Sequence, residues 1–104
     1  MNIQFKKGVI ELCVLSLLSK EDCYGYQISE ILSWRFDLAE GTVYPILRRL
    51  KSDGFVTTYI SEASEGPPRK YYSITKTGTE FYHLLKAEWK TFTLSVEKLL
   101  NKGI

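Results

Sequence analysis

Between Gly41 and Gly78 the chain reads GTVYPILRRLKSDGFVTTYISEASEGPPRKYYSITKTG, and within this stretch the hydrophobic period changes twice. Val43, Ile46, Leu47 and Leu50 recur at i, i+3, i+4 and i+7, the spacing of one stripe on an α-helix. Tyr44, Arg48 and Lys51 fall on the opposite face, with Thr42, Pro45 and Arg49 on its flanks. Asp53-Gly54 stops the helix, because glycine takes the left-handed C-terminal position at little cost. Proline is tolerated only near a helix start, so Pro45 makes the N-terminal turn short, and the free N–H groups there suit a phosphate. Phe55 to Ser61 then turns β-branched and aromatic, Glu62 to Pro68 supplies turn residues, and Arg69 to Ile74 resumes strand character. A short amphipathic helix followed by a two-stranded wing is the arrangement this dictates. Thr75 can cap the next helix, with Gly78 standing where a capping box has Glu or Gln, which allows the start to slip by a residue or two.

Upstream, a first helix from about Phe5 to Ser19 is apolar on most of its circumference. Such a helix needs more than one partner, so one side can cover the domain's own core while another meets a second subunit. After the polar turn Lys20 to Asp22, a second helix runs from about Tyr24 or Gly25 to Trp34, with Ile28, Ile31 and Leu32 directed inward. Arg35 to Glu40 links it to the third, which makes a helix-turn-helix whose second helix reads a major groove. The last helix, from about Lys76 to Asn101, would be roughly 39 Å long, more than a domain of this size can cover. Along it Tyr82, Leu85, Trp89, Phe92, Val96 and Leu99 recur at spacings of three and four, an a/d seam that wants a partner helix, most simply from a second copy. Phe81, Leu84 and Leu100 lie off that seam, where they can pack on the domain body. The expected fold class is mainly α with a two-stranded β wing. Residues 1–75 would form a winged helix-turn-helix and residues 76–104 a C-terminal dimerisation helix, in one compact unit of 104 residues.

Charge narrows the partner. Fourteen basic and twelve acidic residues nearly cancel, leaving +2. From Gly41 to Lys76, however, there are six basic residues (Arg48, Arg49, Lys51, Arg69, Lys70, Lys76) against three acidic (Asp53, Glu62, Glu65), so the positive field is local and moderate. Arg48 shares a face with Tyr44 and can approach a guanine edge; Lys51 suits phosphate, and Arg49 either touches phosphate or pairs with a neighbouring acidic residue. Of Tyr71 and Tyr72, alternation sends one to the core and one outward. Cys13 and Cys23, ten apart with His83 the single histidine, fit no metal pattern and read as buried thiols in a reducing cytoplasm. The apolar run Val9 to Leu18 is interrupted by Glu11 and is too short to span a bilayer, so no membrane partner is expected. No phosphate loop, no nucleophile with a histidine partner and no cofactor signature is present, so catalysis is not expected.

GTVYPILRRL, DGFV and PPRKYYSITKTG, with YGYQISEIL at 24–32, resemble the PadR family of transcriptional regulators over nearly the whole chain. The resemblance implies a dimeric winged helix-turn-helix that binds double-stranded operator DNA, usually represses, and dimerises through its first and C-terminal helices. It sets Thr42, Tyr44, Pro45 and Arg48 where the recognition helix meets DNA, and Arg69 and Lys70 at the wing base, where they can reach phosphates or the minor groove. A single helix after the wing resembles the family's short branch. Some short-branch members hold flat aromatic drugs between paired tryptophans at the dimer centre, and Trp89 falls at the equivalent place. Trp89 and Phe92 thus have two readings, plain dimer packing or a slot for a planar apolar effector, and neither Lys86 nor Thr93, one turn away, completes such a pocket. A different class remains open: a winged-helix module that binds another protein through the same surface or through the aromatic seam.

Overall fold

The computed structural model describes the backbone of residues 3–39, 41–62 and 66–103, with side chains from Gly8 onward. Seven elements follow in the order α1 (Ile3–Lys20), β1 (Cys23–Tyr24), α2 (Gly25–Phe36), α3 (Val43–Ser52), β2 (Val56–Ser61), β3 (Arg69–Ile74) and α4 (Lys76–Lys102). Four helices and a small antiparallel sheet match the expected class, with one addition. The sheet has three strands in the order β1-β3-β2, because Cys23-Tyr24 pairs with Tyr72 and Tyr71 on the free edge of the wing. Of the expected wing turn and of the α2–α3 link, residues 63–65 and 40 lie outside the described residues.

The core forms where the predicted stripes meet. Val43, Ile46, Leu47 and Leu50 of α3 are all buried, against Ile10, Val14, Leu15 and Leu18 of α1 and Ile28 and Leu32 of α2. Val56, Tyr72 and Cys23 close it from the inner face of the sheet, and Tyr71 faces the other way, as strand alternation requires. Burial pushes the Cys13 and Cys23 thiols up, which keeps them protonated. Ile31 departs from the expected pattern: it is exposed, because the buried stripe of α2 is Ile28, Ser29 and Leu32.

Where α3 ends, three elements are tied together. Gly54, at φ +81°, sends its N–H to the Lys51 carbonyl, and the Phe55 N–H reaches the Leu50 carbonyl, so the last turn of α3 is satisfied by a glycine C-cap. Phe55 then stacks on Phe81 of α4 at 4.2 Å between ring centroids. The Thr75 side chain accepts the Gly78 N–H at 2.9 Å, capping α4 at the expected residue, and donates to the Gly54 carbonyl at 2.8 Å. The direction in which α4 leaves the domain is therefore set by the end of α3.

Tyr82 is the one residue of the expected seam that belongs to this chain's own core. It is 8% exposed, and its hydroxyl lies 3.5 Å from Ser16 Oγ on α1. Leu85 packs partly against the same core. Phe81 packs on the body as expected, whereas Leu84 and Leu100 are exposed: Leu84 points away from the body and Leu100 lies on the stretch of α4 that extends past it. Beyond Lys86 nearly every side chain of α4 is exposed, Phe92, Leu94, Val96 and Leu99 among them, and the molecule measures 55 Å along its longest axis. No helix among the described residues is long and apolar enough to cross a membrane.

Candidate nucleic-acid interface

Burying the apolar stripe of α3 forces its polar face outward. Thr42, Pro45, Arg48, Arg49 and Lys51 are exposed and Tyr44 is half-buried. Pro45 is the third residue of the helix, where an N–H would have no partner within the helix, so the ring costs no hydrogen bond. Arg49 takes the second of its two predicted roles. It pairs with Glu11 of α1, which is much the less exposed of the two, and so ties the recognition helix to the first helix.

Arg48 points into a cleft of about 400 Å³ that the wing closes from the other side with Arg69 and Lys70. The floor is Tyr72, and the remaining wall is Tyr24, Gly25 and Tyr26 at the start of α2, beside Tyr44. Gly25 suits this corner because a Cβ there would come within 3.3 Å of the Tyr72 ring and 3.6 Å of the Tyr44 ring. Burial pushes the Tyr72 phenol up, Tyr44 adds to the shift, and the Arg48 charge opposes it. Arg69 lies with its guanidinium carbon 4.4 Å from the centroid of the Tyr24 ring. Three cations from two elements thus surround one aromatic-lined concavity. That combination is suited to a polyanion whose sugars and bases offer apolar surface beside the phosphates.

Of the residues singled out in the sequence, the cleft gathers Tyr44, Arg48, Arg69 and Lys70, while Thr42, Pro45 and Lys51 are exposed on α3 outside it. Tyr24 and Tyr26 join the cleft without having been marked by charge or periodicity. Their only signal was the aromatic-glycine-aromatic run at the start of α2, which the helix pattern absorbed.

A second concavity, of about 320 Å³, lies between α1 and α4. Gly8, Val9 and Leu12 line one side and Leu85, Glu88, Trp89 and Phe92 the other. The Trp89 and Phe92 rings sit 6.2 Å apart, tilted by 33°. Neither the α1 wall nor Glu88 was legible from the flank of Trp89 alone.

A recognition helix with a buried apolar stripe, a wing hinged on its C-terminal end and converging cations define a winged helix-turn-helix regulator that binds DNA. Comparison with known proteins agrees. Residues 14–84 match the transcriptional regulator PadR-like family, and the chain belongs to that family, whose members regulate transcription and are not enzymes. It is similar to a solved protein from Streptococcus mutans, at 34% identity, with 94% of this chain and 92% of that one covered and a TM-score of 0.87. A PadR-like transcriptional regulator from Bacillus cereus is 36% identical over 93% of this chain and 96% of its own, with a TM-score of 0.84. A PadR family transcription regulator from Clostridium difficile is 38% identical over 88% and 97%, with a TM-score of 0.78.

Proposed function

We propose that the protein is a homodimeric repressor that binds a near-palindromic promoter operator, with residues 1–75 as the DNA-binding part and 76–104 as the dimerisation helix. The observation that carries this reading is the cleft in which Arg48 of the recognition helix meets Arg69 and Lys70 of the wing base. In the proposed complex Arg48 approaches a base edge, Tyr44 contacts sugar or base, and Thr42, Pro45 and Lys51 lie along the backbone on either side. The exposed stripe of Phe92, Val96 and Leu99 supports pairing of α4 with a second copy, with Trp89 and Leu85 at its inner end. Two-fold symmetry would then set the recognition helices roughly 34 Å apart, one turn of duplex. A planar apolar effector in the groove beside Trp89 and Phe92 would alter the spacing of α1 and α4 in the pair, and hence that of the two recognition helices.

Fluorescence anisotropy of a labelled duplex from the chain's own upstream region, titrated against excess unrelated DNA, tests this. Saturable binding that resists the competitor is expected, and Arg48→Ala should weaken it about ten- to a hundredfold. Binding no tighter than to unrelated DNA, or unchanged by Arg48→Ala, would reject this recognition face and favour a winged-helix module for a protein partner.

A further inference from the structure

We propose that Tyr24 is a positioning residue for DNA binding: its ring holds the Arg69 guanidinium at the mouth of the cleft, ready for a phosphate. This rests on the regulator reading above and adds to it a residue outside both the recognition helix and the wing. Tyr24 lies opposite Tyr71 in the β1–β3 pair, and Tyr71 lies opposite Tyr59 in the β2–β3 pair, so the three form one row across the outer face of the sheet. Tyr24 meets Tyr71 edge-on at 5.7 Å, and Tyr71 stacks on Tyr59 at 5.6 Å with their planes 12° apart. The Tyr59 hydroxyl donates to Asp22 Oδ2 at 2.6 Å, returning the row to the segment just before β1. The Tyr59–Asp22 bond therefore ties the row back to the backbone beside Tyr24, and the Tyr71 edge contact braces the Tyr24 ring on one side.

Arg69 stands two residues before Tyr71 on the same face of β3, and its guanidinium carbon sits 4.4 Å from the Tyr24 centroid. An exposed arginine ordinarily gives up rotamer freedom when it takes hold of a phosphate. Held over a ring face, Arg69 has lost part of that freedom already. The contact draws on the cation's charge and not on its N–H donors, which stay available to an anion. The short strand β1, which looks like a mere appendage of the wing, thus has a use: it carries the ring that aims the arginine.

Duplex affinity is measured over a salt series for the native chain, Tyr24→Phe, Tyr24→Leu, Arg69→Ala and the Tyr24→Leu/Arg69→Ala double variant. Arg69→Ala should weaken binding about tenfold and lower the slope of log K against log salt by about one, the share of one phosphate. Tyr24→Leu should weaken it about two- to fivefold, and Tyr24→Phe, which keeps the ring face, should retain native affinity. The double variant should bind no more weakly than Arg69→Ala, because Tyr24 acts only through that side chain. Without DNA, NMR of the native chain should show the Arg69 Hδ protons moved upfield by the Tyr24 ring. That shift should survive in Tyr24→Phe and vanish in Tyr24→Leu. Losses that add in the double variant, or unshifted Arg69 protons in the native chain, would overturn the inference while leaving the regulator reading intact. Failure of the native chain to bind duplex saturably at any salt would overturn both.

Discussion

Replacing Gly78 by alanine adds one methyl group to the first turn of α4, and two effects of opposite sign compete. Helix propensity favours alanine over glycine by about 1 kcal/mol. Against this, a Cβ at Gly78 would stand 1.9 Å from the Phe55 carbonyl oxygen and 2.9 Å from Ile74 Cγ1. Taking roughly 3.3 Å as a comfortable carbon–oxygen approach, α4 and the start of the wing would have to separate by about 1.4 Å. The Ile74 side chain can turn away about its χ1, but the Phe55 carbonyl cannot. It accepts the Thr75 N–H at 3.1 Å, and the ring of the same residue is stacked on Phe81. Overpacking of this kind costs about 1–3 kcal/mol, and a rigid backbone atom puts it at the upper end. Loss of the strained hydrogen bond adds about 1 kcal/mol. The net expectation is a destabilisation of about 2–3 kcal/mol, or roughly 10–20 °C in melting temperature for a domain of this size. Circular dichroism melts at one fixed protein concentration measure it, with Thr77→Ala, one residue away and exposed, as the control that reports propensity alone. A Gly78→Ala chain that melts at or above the native temperature would refute the claim that packing against Phe55 dominates at this position.

Two further outcomes are expected. Trp89→Ala should weaken self-association at least about thirtyfold, as removal of a central aromatic anchor does, and sedimentation velocity over a dilution series would show it; an unchanged dimer would remove α4 as the site of pairing. The hydrogen bond that Tyr59 donates to Asp22 raises its phenol above the ordinary value of 10, so the folded chain holds that proton more tightly than the unfolded one. The stabilisation is then complete below about pH 10 and fades as pH rises through the raised value. The difference in urea midpoint between the native chain and Tyr59→Phe should accordingly be flat up to that pH and shrink above it; a difference that grows with pH would be the wrong sign.

The third helix was legible because its stripe is long enough to have a phase: Val43, Ile46, Leu47 and Leu50 fix which face is buried, and Arg48 follows outward from that alone. The C-cap at Gly54 and the N-cap at Thr75 were legible for a different reason, since each is a local conformational demand that few residues meet. Strand β1 had neither kind of signal. Two residues cannot display a period of two, and Tyr24 beside Gly25 reads equally well as the start of a helix, which it also is: Tyr24 is both the last residue of β1 and the N-cap of α2. Ile31 was misplaced by the same limit in reverse, because a 12-residue helix can satisfy its core with Ile28 and Leu32 and leave the next apolar residue in solvent.

The seam on α4 marks what periodicity cannot supply. Spacings of three and four state that Tyr82 to Leu99 share a stripe, but not what lies against it, and a stripe longer than the domain has to change partner somewhere along its length. Tyr82 lies beside α1, where Ser16 is within reach of its hydroxyl, so it is consumed inside the chain. From Phe92 onward the stripe is exposed, and between the two Leu85, Trp89 and Phe92 border a groove whose other wall is Val9 and Leu12 of α1. The changeover therefore falls beside the Val9 and Leu12 wall of α1. On an adjacent flank that same helix holds Glu11 against Arg49 of the recognition helix. Those two contacts involve residues in different parts of the chain, so neither could be read from α4 by itself. Together they make α1 an element that touches both the groove beside Trp89 and the helix that carries Arg48.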